Sequence, residues 1–139
     1  MEDQKWLTTV AGVKMPRFIY GTAWKKEHTA DLVVKAIQSG FKGIDTACQP
    51  KHYDESLVGA ALHRLKDHGI ERETLFLQTK FTPLSGQDPN QVPYDKNSPI
   101  DSQVVQSFET SKKNLQTHYV DSLILHSPQR YRSNPCSEV

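Results

Sequence analysis

The sequence predicts an α/β fold in which strand and helix alternate three times before a fourth strand. Short apolar runs alternate with apolar stripes at helical spacing, and glycine, proline or polar residues separate them. A chain with this order builds parallel strands joined by helical crossovers. Two architectures share the order: a doubly wound sheet and half of an eight-fold (β/α) barrel. The turn Gly21-Thr22-Ala23 lacks the G-x-G-x-x-G pattern of dinucleotide-binding doubly wound sheets, which disfavours that alternative.

The predicted strands are short apolar runs bounded by turn residues. The first two flank Ala11-Gly12 and predict an N-terminal β-hairpin. The runs cover residues 6–10, 13–15, 17–20, 41–45, 75–80 and 122–126. We therefore expect a hairpin followed by four parallel strands.

Three apolar stripes predict the helices. The first helix begins after Thr29, a good N-cap residue, and ends at Gly40. The second runs from about residue 54 to 67, and the third from about 101 to 115 after a proline-rich loop. The apolar residues expected on the inward side of the third helix are Val104, Val105, Phe108 and Leu115.

Charge and cysteine content restrict the class of protein. Seventeen basic residues stand against sixteen acidic ones in 139 residues, the length of one ordinary domain, which gives no reason to expect a nucleic acid or an anionic membrane as partner. The N-terminus is too polar for a signal peptide, and no apolar run approaches membrane-spanning length. Cys48 and Cys136 form no disulfide framework, so we expect a cytoplasmic protein in a reducing compartment.

Titratable side chains stand at the ends of three predicted strands: Asp45, Lys80 and His126. Parallel strands bring these ends to one edge of the sheet, where (β/α) barrels build their active sites. An ion pair with Asp45 would hold Lys80 in place, and a lysine beside a tyrosine lowers the pKa of the phenol. Tyr53, in the loop after Asp45, could then act as a general acid near neutral pH.

The remaining cysteine and histidine residues suggest no second site. Cys48 lies in the same loop but has no Cys-His-acid spacing, so we interpret it as a packed thiol. Four histidines, at positions 28, 63, 68 and 118, lack the spacing of metal ligands, and no metal site is predicted.

Four segments resemble the aldo-keto reductase family, and they occur in the family's order. They are MPRFIYGTAW, GFKGIDTA followed by E-x-x-V-G at Glu55 to Gly59, LQTKF, and HYVDSLILHSP. The resemblance implies a (β/α)8 barrel that transfers hydride from NADPH to an aldehyde or ketone, with an Asp-Tyr-Lys-His tetrad at the barrel mouth. By similarity, Asp45, Lys80 and His126 take three of these places. The resemblance also places Thr22, Trp24 and Asp45 beside the nicotinamide of the cofactor.

The position of the catalytic acid is open to two interpretations. The loop between Asp45 and Glu55 is two residues longer than the usual signature, and counting back from Glu55 puts the tyrosine position on His52. Tyr53 follows one residue later, and Pro50 could re-route the loop so that Tyr53 points into the site. Tyr53 is the predicted acid, and His52 is the alternative.

The resemblance covers residues 1–128, the N-terminal half of a reductase barrel domain, while residues 129–139 form a polar tail that does not resemble the family. The expected fold is thus a barrel truncated to about its first four strands. The predicted function is NADPH-dependent reduction of a small carbonyl substrate. The alternative is a non-catalytic half-barrel that associates with another chain, or with itself, through its exposed edges.

Overall fold

A computed structural model describes residues 5–128 of the chain. Cys136 and the tail predicted at residues 129–139 lie outside the described residues. The strands are β1 (Trp6–Thr8), β2 (Lys14–Pro16), β3 (Ile19–Gly21), β4 (Gly43–Asp45), β5 (Phe76–Phe81) and β6 (Ser122–Leu125). The α-helices are α1 (Thr29–Gln38), α2 (Glu55–Asp67) and α3 (Ile100–Leu115).

The strand order decides between the two predicted architectures. β3, β4, β5 and β6 form one parallel sheet, and each strand pairs with the next one along the chain. A doubly wound sheet reverses its strand order at a switch point, whereas a barrel adds its strands in sequence. β1 and β2 form the predicted antiparallel hairpin. The prediction of a barrel-type parallel (β/α) fold with an N-terminal hairpin is confirmed.

The core lies between the sheet and the three helices. α1 packs on α2 and α2 packs on α3, and the apolar stripes of the helices cover the strands. Fully buried side chains at its centre are Val33, Ile44, Val58, Leu65, Leu77 and Leu115. Burying one such side chain contributes about 1.5–3 kcal/mol, so this layer supplies the stability that fixes the strand ends.

The start of α1 differs from the prediction. His28, not Thr29, is the N-cap residue, because a 3₁₀ turn at Lys26–His28 leads directly into the helix. The backbone of Thr29 is already helical, and its hydroxyl donates to the Lys26 carbonyl oxygen at 2.6 Å. The predicted helix end at Gly40 is correct, since this glycine adopts a φ of 110° just after the helix.

The inward side of α3 also differs from the prediction. Leu115 is buried, but Val105 is exposed, and the other buried residues of the helix are Ser107 and Ser111. α2 and α3 approach closely at Gly59, where a Cβ atom would overlap the backbone of α3. The side chains of Ser107 and Ser111 lie against the Cys48 thiol, and an apolar pattern alone does not identify such a contact.

No helix within residues 5–128 is long and apolar enough to cross a membrane. The cytoplasmic location stays a prediction.

Candidate active site

Asp45 and Lys80 form an ion pair at the C-terminal ends of the parallel strands. The Lys80 Nζ atom lies 2.7 Å from both Asp45 carboxylate oxygens, and it donates to the Thr46 carbonyl oxygen at 2.8 Å. All three ammonium hydrogens therefore have an acceptor. Because Lys80 is buried and fully paired, its ammonium group has a fixed position.

Two further residues hold Asp45. Gln78, its neighbour on β5, donates from Nε2 to the Asp45 Oδ1 atom at 2.8 Å. The backbone N–H and the hydroxyl of Thr22 both donate to the Asp45 carbonyl oxygen, at 3.0 and 2.8 Å. Thr22 is fully buried, so its hydroxyl serves the backbone of Asp45, and its contact with a cofactor stays a prediction.

Tyr53 lies beside this pair. The Lys80 Nζ atom is 5.0 Å from the centroid of the Tyr53 ring, and the ring meets the His126 imidazole edge-on at 5.7 Å between centroids. Burial raises the pKa of Tyr53 above its usual 10.0, and the Asp45 charge raises it further. The prediction of a lowered pKa beside Lys80 is therefore wrong in direction, because desolvation of the phenol is the largest cause and the Asp45 charge acts in the same sense. Tyr53 therefore keeps its proton at neutral pH.

His126 follows β6 and completes the group. Its backbone N–H donates to the Phe81 carbonyl oxygen at 2.9 Å, and its Nδ1 atom shares a 2.7 Å hydrogen bond with the Thr82 hydroxyl. Burial lowers the pKa of His126 below 6.5, and the Lys80 charge lowers it further. The imidazole is therefore neutral at neutral pH, with Nε2 as the nitrogen that Thr82 does not engage.

His52 takes a different position from Tyr53. Its ring stacks on the Trp24 indole at 3.7 Å between centroids, and its carbonyl oxygen accepts from the Trp24 backbone N–H at 2.8 Å. Trp24 is 65% exposed. The structure thus brings together the four predicted catalytic residues, Asp45, Tyr53, Lys80 and His126. His52 joins the loop after β4 to the loop after β3.

The sequence reasoning missed the residues that fasten the proline-rich loop. Gln87 Nε2 donates to the Cys48 and Thr82 carbonyl oxygens, at 2.9 and 3.2 Å, and the Tyr94 hydroxyl donates to the Thr82 carbonyl oxygen at 2.8 Å. Gln49 donates to the Gly86 carbonyl oxygen at 2.8 Å. These glutamines and Tyr94 carry no pattern in the sequence, although Thr82, directly after β5, could have been identified by its place at a strand end.

Cys48 is a packed thiol, as predicted. Burial is the main cause that raises its pKa to about 12, and the nearby Glu55 carboxylate adds to the rise. Glu55 itself is buried and accepts from the Thr79 hydroxyl at 2.6 Å. A thiol in this environment is not a nucleophile at neutral pH.

Comparison with known proteins identifies the family. The model of the Aldo/keto reductase family matches residues 17–138. The chain belongs to this family. The match extends into the C-terminal segment, so the domain boundary drawn after residue 128 stays a prediction.

The relatives of this aldo/keto reductase chain are oxidoreductases. Glycerol 2-dehydrogenase (NADP(+)) of Saccharomyces cerevisiae is 31% identical over 93% of this chain, and this chain covers 35% of that protein. NAD(P)H-dependent D-xylose reductase of Pachysolen tannophilus is 27% identical over 91% of the chain, again covering 35% of the relative. The chain thus spans about a third of the length of these curated relatives.

Solved structures show the same fold. An aldo/keto reductase from Brucella melitensis superposes with a TM-score of 0.63 at 27% identity, over 86% of this chain and 40% of that one. The aldose reductase of Schistosoma japonicum superposes with a TM-score of 0.70 at 24% identity, over 88% of this chain and 36% of that one, which is evidence for the fold alone.

Proposed function

We propose that this chain carries the proton-transfer residues of an NADPH-dependent reductase of small aldehydes or ketones. One observation carries the proposal: a protonated Tyr53 with a raised pKa lies against both a fixed Lys80 ammonium and a neutral His126 imidazole. Perturbed pKa values beside a specific charge partner are a feature of catalytic sites. The names of the relatives, which include NADP(+) and NAD(P)H, support the choice of cofactor.

Each of the four residues would have a separate role in carbonyl reduction. Tyr53 would donate its phenolic proton to the carbonyl oxygen while a hydride adds to the carbonyl carbon, so that the product is an alcohol. The phenolate that remains would be stabilised by the Lys80 ammonium, which Asp45 holds in place. Neutral His126 would orient the carbonyl oxygen through Nε2, with Thr82 fixing the ring from the other nitrogen.

The residues around the tetrad fit a nicotinamide in part. The exposed Trp24 indole offers a flat apolar surface beside Tyr53, and the neutral Tyr53 and His126 add no charge against the ring. The Asp45 carboxylate already accepts hydrogen bonds from Lys80 and Gln78. Asp45 would therefore act near the cofactor by holding Lys80 in place, and not by contacting the nicotinamide itself. Bound NADPH would supply the hydride.

The test compares the two alternative acids. With NADPH and an aromatic aldehyde, Tyr53→Phe should lower kcat/KM by about 10²–10⁴, the usual contribution of a general acid. His52→Gln, the matched control, should change kcat/KM less than tenfold and act mainly on KM, because His52 stacks on Trp24. The reverse order of the two effects would assign the acid to His52 and contradict the proposal.

A second candidate function is association with another chain. Three consecutive residues of β6 are exposed, Leu123 at 44%, Ile124 at 39% and Leu125 at 58%, and β6 is one of the two outer strands of the described parallel sheet. An apolar outer strand is a template for a further strand, from the same polypeptide or from another one. Sedimentation should show a concentration-dependent dimer that Ile124→Lys disrupts. A monomer at all micromolar concentrations would rule out self-association through β6.

A further inference from the structure

A small cavity adjoins the proposed acid on the outer side of the site. It has a volume of about 140 Å³ and lies between the loops that follow β3 and β4. Its lining includes Trp24, Lys26, Lys51, His52, Tyr53 and Asp54. A cavity needs only about 10–15 Å³ to hold one water molecule, so this one has room for a small charged group and several neighbouring atoms.

The charge around this cavity is positive. Lys26 and Lys51 line it, and within residues 5–128 neither forms an ion pair. The one carboxylate in the lining, Asp54, is the N-cap of α2 and accepts from the Leu57 backbone N–H at 2.9 Å. The Asp54 carboxylate therefore faces the N-terminus of this 13-residue helix, which offsets its negative charge. The lining thus contains two lysines without an ion-pair partner among the described residues and one carboxylate that caps a helix, and this balance of charge favours an anionic ligand.

Two residues that line the cavity have strained backbone conformations. Trp24 and Lys26 adopt left-handed conformations, with φ of 61° and 48°, although neither is glycine. Such conformations persist only where the surroundings impose them, and they concentrate at functional sites. The Trp24–His52 stack and the hydrogen bond between their backbones join the two loops. Lys26 and Lys51 therefore line a cavity between two loops that are already joined.

We propose that this cavity is a subsite for a carboxylate or phosphate group carried by the carbonyl substrate. The inference rests on the proposed reductase function, because Tyr53 lines the cavity and is also the group that would protonate the carbonyl oxygen. An anion held by Lys26 and Lys51 would place the rest of the same small molecule against Tyr53. The preferred substrate is thus an aldehyde or ketone with an anionic group a few bonds from the carbonyl.

Direct binding tests the subsite without any turnover. Trp24 and Trp6 are the two tryptophans of the chain, so Trp6→Phe leaves Trp24 as the only reporter. Benzoate should change the Trp24 fluorescence in a saturable manner, whereas benzamide, its neutral isostere, should not. Replacing both cavity lysines, Lys26→Gln with Lys51→Gln, should weaken benzoate binding about tenfold, the effect expected for two partly exposed charges.

The control variant has the same change in net charge. Lys35→Gln with Lys66→Gln removes two exposed lysines near the C-termini of α1 and α2, and it should leave benzoate binding unchanged. Equal binding of benzoate and benzamide, or equal loss in both double variants, would overturn the proposal.

Kinetics separate the substrate from the cofactor as the source of the anion. The cavity variant should lose about tenfold in kcat/KM for 4-carboxybenzaldehyde and stay within about twofold for benzaldehyde, with unchanged affinity for NADPH. A weaker NADPH affinity in this variant would mean that the cavity binds a phosphate of the cofactor. The proposal of a substrate subsite would then be overturned. The two proposals can also fail separately. If benzoate binds saturably but Tyr53→Phe does not change the activity, the reductase proposal is refuted and the anion subsite remains.

Discussion

The two ends of the parallel sheet each carry a largely buried ion pair, and the two pairs differ in their neighbours. At the C-terminal end, the Lys80 and Asp45 side chains are 11% and 22% exposed. At the N-terminal end, the Arg72 and Asp121 side chains are 15% and 20% exposed, and their charged atoms lie 2.8 Å apart. Burial and distance therefore do not distinguish a catalytic pair from a structural one.

Most hydrogen bonds that the Arg72–Asp121 pair makes to other residues go to the backbone. Arg72 donates to the carbonyl oxygens of Leu75 and Tyr119, at 2.9 and 3.1 Å, and its guanidinium lies 4.2 Å from the centroid of the Tyr119 ring. Asp121 accepts from the Leu77 backbone N–H at 2.9 Å. This pair ties the start of β5 to the segment before β6.

The Asp45–Lys80 pair has two titratable neighbours. Tyr53 and His126 lie against it, and the charges of the pair help to raise the pKa of the first and lower that of the second. These shifts keep both groups neutral at neutral pH, which suits a proton donor and an orienting imidazole. The titratable neighbours of a buried ion pair, more than the pair itself, therefore distinguish the proposed active site from the other end of the sheet.

The largest expected difference between the two pairs is in catalysis. Replacing both charges by neutral residues keeps the packing and leaves no unpaired charge. Asp45→Asn with Lys80→Met should lower the kcat/KM of the proposed reductase by about 10²-fold or more, because the phenolate of Tyr53 loses its cation. Arg72→Met with Asp121→Asn should leave kcat/KM of the folded protein within about threefold. Steady-state kinetics measure both variants. Similar losses of kcat/KM in the two double variants would show that the two ion pairs do not differ in catalysis.

The next effect concerns stability at the N-terminal end. Asp121→Asn leaves the Arg72 guanidinium largely buried without its carboxylate, which should lower the free energy of unfolding by about 2–3 kcal/mol, somewhat below the cost of a fully buried pair. Urea denaturation measures this value. Adding Arg72→Met should recover part of the loss, since no unpaired charge then remains. A single variant as stable as the wild type would mean that the pair does not fasten β5 to β6.

The pH dependence of stability should show the lowered pKa of His126, which lies at the C-terminal end of the sheet. The pKa of His126 is lowered in the folded protein, so its contribution to stability is present above pH 6.5 and is lost as the pH falls through the folded-state value. The free energy of unfolding of the wild type should therefore decrease more steeply below pH 6.5 than that of His126→Gln. His63→Gln, an exposed change on α2, is the control and should keep the wild-type slope. Parallel curves for the wild type and His126→Gln would contradict the shift.

The smallest effect concerns a hydrogen bond at each end. Thr82→Val removes the hydroxyl that holds His126 Nδ1, and kcat/KM should decrease about fivefold, the equivalent of one net hydrogen bond of about 1 kcal/mol. Thr74→Val removes an exposed hydroxyl bonded to the Glu71 carbonyl oxygen near Arg72, and kcat/KM should not change. Rescue of the activity by Thr82→Ser would show that the hydroxyl orients the imidazole. Equal kinetics for Thr82→Val and the wild type would remove Thr82 from the site.

The sequence predicted the strand ends better than their surroundings. Asp45, Lys80 and His126 were predictable because each ends a compact apolar run, and parallel strands bring such ends together. The direction of the Tyr53 pKa shift was not predictable, since it depends on how deeply the phenol is buried and how close the Asp45 carboxylate lies, and both require the structure.

Side chains that act through backbone contacts were also missed. Gln87 and Thr82 fasten loops by hydrogen bonds to carbonyl oxygens, and such bonds leave no spacing in the sequence. The buried serines of α3, Ser107 and Ser111, were missed for a related reason, because their side chains lie against the Cys48 thiol and such a contact has no apolar spacing.

The most direct measurement is the titration of Tyr53, followed by carbon NMR of the tyrosine ζ carbons and assigned with Tyr53→Phe. Tyr53 should titrate above pH 10 in the wild type. Its pKa should fall in Asp45→Asn, which removes the carboxylate and frees the Lys80 charge, and it should stay unchanged in Asp121→Asn. A Tyr53 pKa that is the same in all three proteins would contradict the coupling of this tyrosine to the Asp45–Lys80 pair, and with it the assignment of the active site.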